Sequence, residues 1–170
     1  REELRQFFQD RLRVMLRDAG YTTLEVDAVL ALNPEKLDEL PKRLAAVRAF
    51  MALPEAEALT AANKRIGNIL KKIEGEVPTV VNEALLAEDA EKQLFAAIND
   101  VEPKALQHFA AGEYEQMLAT LAVLRGPVDS FFDNVMVNAE DPALRATRQA
   151  LLKRLYDVMN KVAEIARLAK

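Results

Sequence analysis

Four cationic side chains and one amide recur along a predicted helix in the middle of the chain. They are Lys64, Arg65, Asn68, Lys71 and Lys72. At about 100° per residue these positions share one arc of roughly 120°, and no carboxylate falls within it. A solvated helix face usually carries both signs of charge, so this arc indicates an anionic partner. The alternative is an ordinary solvent face whose counter-charges come from Glu74, Glu76 or a neighbouring helix.

A second group of polar side chains follows an aromatic pair near the end of the chain. Its members are Asp133, Asn134, Asn138, Arg145 and Arg148. Amide and carboxylate acceptors beside an Arg donor suit the edges of unpaired bases. In the competing interpretation Asp133 and Asp141 only cap helices. For Phe131 and Phe132 we favour a place in the core.

Composition limits the classes of function. Hydrophobic residues make up 51% and charged residues 29% of the 170 residues, with no Cys and a net charge of −4. This balance is typical of a globular domain in a reducing cytoplasm, and no run is long and apolar enough for a membrane span. With a pI near 5.2, any surface for an anionic partner must be a local basic face.

His108 and Arg11 are of types that often have functional roles, but the neighbouring sequence indicates no catalytic or metal site at either. His108 is the single histidine and has no second His or Cys for a zinc site, so we expect a surface or packing role. No paired carboxylates, nucleophile or phosphate-binding Gly loop accompany it, and we therefore expect no catalytic residues and no metal. Arg11 falls inside the apolar arc of the first helix, where it must reach water or a carboxylate. We favour pairing with a carboxylate, and contact with RNA is the alternative.

The elements that position these groups are predicted to be helices throughout. We expect an all-α bundle of about eight to ten helices forming a single domain over residues 1–170. The first helix, residues 1–19, should turn six apolar residues inward, namely Leu4, Phe7, Phe8, Leu12, Met15 and Leu16. Asp89 should be the N-cap of the helix that holds Leu94, and Pro103 should begin another short helix. A long final helix, capped by Asp141, should carry apolar positions through Ile165.

A series of short motifs resembles one family of RNA-binding domains. They are Pro127-Val128-Asp129, Phe131-Phe132-Asp133, Val135-Met136-Val137, Glu140-Asp141, Leu144-Arg145 and Arg148-Gln149-Ala150-Leu151-Leu152. In this order they resemble the DALR-type anticodon-binding domain of arginyl-tRNA synthetase and of the β subunit of bacterial tetrameric glycyl-tRNA synthetase. Residues 8–13 and 61–70 favour the glycyl β subunit. The absence of an initiator Met predicts a piece of a longer subunit.

The resemblance implies a fold like the anticodon-binding domain of class I arginyl-tRNA synthetase and a non-catalytic role within an aminoacyl-tRNA ligase. It implies that the tRNA(Gly) anticodon stem-loop binds here, through the cationic arc and through Asn134, Asn138, Arg145 and Arg148. ATP would be used by the catalytic α subunit, with no cofactor in this part and with the remaining β subunit as neighbour. The alternative is a helical adaptor for proteins with no RNA role; its binding should be nearly indifferent to salt.

Overall fold

Helices account for nearly all of the ordered secondary structure. The computed structural model describes residues 2–169, within which there are eight α-helices, four short 3-10 segments and no strand. The α-helices are α1 (Glu2–Asp18), α2 (Thr23–Leu30), α3 (Leu40–Met51), α4 (Ala56–Lys71), α5 (Asp89–Ala110), α6 (Tyr114–Leu121), α7 (Arg125–Asn134) and α8 (Pro142–Met159). The all-α prediction is confirmed, at the low end of the expected eight to ten helices. No helix in this range has the length and apolarity needed to cross a membrane.

One connected apolar core joins α2 to α8. Helix α5 lies near its centre, packed against α6, α7 and α8, while α4 packs against α7, α8 and the 3-10 segment Ile165–Leu168. Phe131 of α7 and Leu151 of α8 are fully buried in this core. Phe131 is therefore a core residue, as predicted.

Helix α5 runs further than its proline predicts. Pro103 lies inside α5 instead of beginning a new helix. Val101 and Ala105, on either side of it, are both buried, and we attribute the continuity of the helix to this packing, which outweighs the backbone hydrogen bond that proline removes. The N-cap is Glu88 and not Asp89, because the Glu88 amide donates to Glu91 Oε1 at 2.9 Å.

Helix α8 begins as predicted and ends earlier. Asp141 Oδ1 accepts a hydrogen bond from the Ala143 amide at 2.9 Å, which confirms its role as N-cap. The helix stops at Met159, because Asn160 turns the chain: its Oδ1 accepts from the Ile165 amide at 2.8 Å. Ile165 is buried, as the apolar periodicity predicted. It lies in a 3-10 segment after α8, so the prediction that the final helix extends to Ile165 is wrong.

Helix α1 contradicts the predicted burial of its apolar face. No residue of α1 is buried, and only Leu12 and Leu16 pack against the core. The other four residues that were expected inside, Leu4, Phe7, Phe8 and Met15, are 50–69% exposed. Arg1, at the predicted start of this helix, lies outside the described residues. Helix periodicity locates an apolar side, but it does not determine what covers that side.

Helices α4 and α8 approach closely at a glycine. Gly67 is buried on α4, and a Cβ atom built there would lie 3.3 Å from Cε1 of Tyr156 on α8. A contact of that length is tighter than ordinary carbon packing, so any larger residue would press on the tyrosine ring. The absence of a side chain at position 67 therefore sets the separation of the two helices.

An ion pair connects the start of α2 with α3. Glu25 accepts from the Thr22 amide at 2.8 Å, completing a capping box, and also from Arg48 at 2.8 and 2.9 Å. The Arg48 hydrogen bonds outweigh burial and, with those of Thr22, lower the pKa of Glu25 to about 2. Because this pKa lies below the ordinary carboxyl value, the ionised form stabilises the fold above about pH 4.5.

We predict that Glu25→Gln lowers the free energy of unfolding at pH 7 by on the order of 2 kcal/mol, less than the full pKa shift implies because Arg48 is half exposed. The amide keeps the cap acceptor but loses the charge. Since protonation of wild-type Glu25 removes the same charge, the difference should shrink as pH falls from about 4.5 towards 2. Urea unfolding of the wild type and of Glu25→Gln across this pH range measures the difference in the free energy of unfolding.

Glu57→Gln is the matched control, because it removes the same formal charge from an exposed position on α4. Its effect on unfolding should stay small at every pH. A loss for Glu25→Gln that is equally large at pH 3 and pH 7 would contradict the ion-pair explanation.

Candidate nucleic-acid interface

A cleft of about 520 Å³ opens between α4, the connector of residues 135–141 and α8. We call it the cationic cleft. Its lining consists of Ala61, Lys64, Arg65, Asn68, Ile69, Lys72, Ile73, Asn138 and Gln149. Four of the nine residues that were predicted to bind RNA line this one cavity from α4, and a fifth, Asn138, lines it from the connector. Lys71 lies on α4 beside them and is exposed.

The cations of α4 and its C-cap form no ion pair in the part of the chain that the structure describes. Within residues 2–169, no carboxylate oxygen lies within 4.0 Å of the side-chain nitrogens of Lys64, Arg65, Lys71 or Lys72. All four side chains are exposed. Glu74, Glu76 and the neighbouring helices therefore form no ion pair with these cations within the described residues, although Asp129 and Asp133 of α7 line a hollow together with Arg65. Such a one-signed concave surface attracts anions.

Arg65 forms the boundary between this cleft and a second hollow beside α7. Its guanidinium carbon lies 4.4 Å from the centroid of the Phe132 ring, which in turn packs edge-on against Phe131 at 5.5 Å. The second hollow is lined by Asp129, Phe132 and Asp133 together with Arg65 and alanines of α4. This cation–π contact restricts the guanidinium to the neighbourhood of the ring, and Arg65 itself remains exposed.

Arg148 does not face the cleft. Its guanidinium is buried and donates to both carboxylate oxygens of Glu91, at 2.9 and 3.0 Å, and to the carbonyl oxygen of Met136. Burial favours the neutral acid, but hydrogen bonds from Arg148 and from the backbone outweigh it and leave the pKa of Glu91 below its ordinary value. With its donors occupied, Arg148 positions the connector, and we leave it out of the proposed contact set.

The other predicted residues of this region lie at the surface. Asn134 is exposed at the end of α7, and its amide donates to the Ser130 carbonyl at 2.9 Å. Arg145 is half-buried and donates to the Ala139 carbonyl at 3.1 Å, which also fixes the connector. Asn138, between them, is exposed and lines the cleft.

Sequence analysis missed Gln149 as a residue of the cleft. It is largely buried on α8, next to Arg148, and lines the cleft opposite α4. Position 149 lies four residues after Arg145, so the two share a face of α8, and this spacing could have drawn attention to it.

His108 and Arg11 contribute nothing to the cleft. His108 Nδ1 lies 3.0 Å from Glu113 Oε1 at the end of α5. In the part of the chain that the structure describes, no group of three His, Asp or Glu side chains is placed to hold a metal ion. Arg11 is exposed, with its guanidinium carbon 5.9 Å from the centroid of the Phe7 ring. The expected pairing with a carboxylate is wrong for the residues that the structure describes.

We predict that Arg148→Met destabilises the fold by about 3–5 kcal/mol, because it leaves the buried Glu91 carboxylate without its counter-charge. The double variant Glu91→Leu/Arg148→Met should recover most of this loss, since it removes both charges together. Urea unfolding of the wild type and of both variants provides the comparison.

Arg145→Met is the control, because Arg145 makes one backbone hydrogen bond and no ion pair within residues 2–169. Its cost should stay near about 1 kcal/mol. If Arg148→Met costs no more than this control, the buried pair does not hold the connector in place.

Comparison with known proteins confirms the resemblance. The model of the family "DALR anticodon binding domain" matches residues 59–166, which include most of α4, the connector and α8. The chain is 65% identical over 163 residues to the glycine–tRNA ligase beta subunit of Leptothrix cholodnii, covering 96% of this chain and 23% of that protein. It is 58% identical over 167 residues to that of Delftia acidovorans, covering 98% and 24%. The chain spans about a quarter of the length of these relatives. From the extent of the family match, the chain belongs to the DALR anticodon-binding domain family.

Proposed function

We propose that the chain is the tRNA anticodon-binding domain of a glycyl-tRNA synthetase β subunit and contributes tRNA(Gly) recognition to ATP-dependent aminoacylation. The observation that carries the proposal is the cationic cleft, in which unpaired cations and amide side chains converge. Under this proposal ATP and glycine react in the catalytic α subunit, and this chain supplies no catalytic group.

Lys64, Lys71 and Lys72 bind the phosphate backbone of the anticodon stem-loop in this proposal. Each is exposed, flexible and without a carboxylate partner among the described residues. Such ammonium groups neutralise phosphates and release counterions, which gives affinity but no sequence preference. Since the whole chain is acidic, the RNA must meet this face and not the body as a whole.

The amide side chains that line the same cleft recognise the bases in this proposal. Asn68 on α4, Asn138 on the connector and Gln149 on α8 each offer one acceptor and two donors. Glycine anticodons end in two cytidines, and each presents an exocyclic amine that an amide oxygen can accept. Because the anticodon bases are unpaired, their edges are accessible to these groups.

The Arg65–Phe132 stack is suited to support one of these bases. The guanidinium carbon lies 4.4 Å from the ring centroid and Arg65 is exposed, so its guanidinium is accessible, and unpaired bases stack on guanidinium planes. Asp133, in the adjoining hollow, adds a carboxylate acceptor within the same region. A cytosine stacked on Arg65 would therefore have a partner for its amine on this side of the stack.

Binding at the anticodon assists a reaction that takes place elsewhere. Contacts with a remote part of the substrate help to orient its acceptor end, and this raises the rate without any chemistry at the contact itself. A protein adaptor with no RNA role is the competing function, and the salt dependence of binding discriminates between the two.

We predict that Lys64→Ala/Lys72→Ala weakens tRNA(Gly) binding and reduces the slope of log affinity against log salt by about 0.7–0.9 per lysine. The reason is the loss of two phosphate contacts. Fluorescence titration of the complete β subunit, assembled with the α subunit, measures affinity at several salt concentrations.

Lys36→Ala/Lys104→Ala removes the same charge from outside the cleft and should leave both quantities unchanged. An anticodon-swapped tRNA should lose affinity with the wild-type protein. Salt-independent binding, or equal effects of the two lysine pairs, would rule out the cleft as the RNA surface.

We predict that Arg65→Lys weakens tRNA(Gly) binding by about 1–3 kcal/mol while the salt slope stays nearly constant, because lysine keeps the charge and loses the planar face. Lys64→Arg, which also preserves charge one residue away, is the control and should bind as well as wild type. If Arg65→Lys binds normally, Arg65 contacts only phosphate, and the stacking part of the proposal fails.

A further inference from the structure

Helix α1 presents a row of large apolar side chains to solvent. Leu4, Phe7, Phe8, Val14 and Met15 are 69%, 59%, 50%, 61% and 63% exposed. A contiguous apolar patch of this kind, unlike single exposed leucines, marks an interaction surface. It lies outside residues 59–166, the range that the family model matches.

The exposed row and the covered row occupy different sides of α1. At about 100° per residue, the five exposed residues fall within an arc of roughly 120° centred near Phe7 and Leu4. Leu12 and Leu16, which pack on the core, lie next to this arc on one side of it. A helix that is apolar on both sides is normally covered from both sides. The described residues cover one side of α1, so the exposed arc still lacks a partner.

Charge and shape indicate what the partner must offer. Arg11 lies within the exposed arc, with its guanidinium 5.9 Å from the Phe7 ring and no carboxylate within 4.0 Å among residues 2–169. Once covered, this cation needs an acceptor, most simply a carboxylate. Beside the arc, a groove of about 380 Å³ between α1 and residues 33–37 is lined by Arg5, Phe8 and Leu37.

We propose that the exposed arc of α1 docks on the remainder of the β-subunit polypeptide, through an apolar helical surface that places a carboxylate opposite Arg11. The inference rests on the proposed function. The length of the relatives supports the proposal. This chain matches only 23–24% of each of three relatives, and about three quarters of each of those subunits therefore lie outside the matched stretch. In such a subunit α1 is held between two bodies and sets the orientation of the cationic cleft.

Hydrogen exchange on the complete β subunit, assembled with its α subunit, tests the proposal. We expect Leu4→Ser/Met15→Ser to increase the exchange rates of α1 amides at least about tenfold, since the variant weakens the contact that protects them. Arg11→Glu should have the same direction of effect. The matched control is Val80→Ser/Val123→Ser, which changes two equally exposed apolar residues elsewhere and should leave α1 unaffected.

Wild-type α1 amides that exchange as fast as those of Leu4→Ser/Met15→Ser would overturn the proposal. So would protection that disappears on dilution in step with self-association, because this would assign the arc to a second copy of the chain. The measurement contains no RNA. A failure here therefore leaves the anticodon-binding proposal intact, and a failure of tRNA binding leaves the exchange result unchanged.

Discussion

The buried pair of Arg148 and Glu91 is the constraint on which the interface depends. It joins α8 to α5 in the interior, and its third set of donors holds the Met136 carbonyl of the connector. Neither charge can remain there alone, because an unpaired buried ion costs several kcal/mol. The wall of the cleft that carries Asn138 is thereby fixed to the core. Recognition groups held by a rigid interior lose less entropy on binding than groups on a free loop.

Local charge and total charge have different signs in this domain. The chain has 27 acidic and 23 basic residues, yet from Ala61 to Lys72 every exposed charged side chain of α4 and its C-cap is a cation. At physiological ionic strength charges act over about 8 Å, so an approaching phosphate responds to the nearest surface and not to the net charge. The acidic remainder disfavours binding of nucleic acid elsewhere on the domain. Such an arrangement favours one orientation of an anionic partner over others.

Sequence predicted what is determined locally and missed what is determined by tertiary contacts. The cap at Asp141 and the cationic arc of α4 depend on neighbouring residues and helix period alone, and both are present. Pro103 and Arg148 were misplaced because buried neighbours decide their environment: packing carries α5 through the proline, and a carboxylate 57 positions away holds the arginine inside. The exposure of α1 was unpredictable from periodicity, which locates an apolar side but not its cover.

Gly67 faces Tyr156 and does not line the cationic cleft, yet its contact limits how α4 and α8 are spaced on either side of that cleft. Its neighbours along α4, Arg65 and Asn68, line the cleft opposite Gln149 of α8, and the two walls are as far apart as the glycine's contact with Tyr156 allows. A methyl group at position 67 would displace the ring or move the helices by a few tenths of an ångström. In the proposed function, the distance between donors on the facing walls must match the dimensions of a nucleobase. Selectivity for the anticodon would then depend on a residue that does not line the cleft.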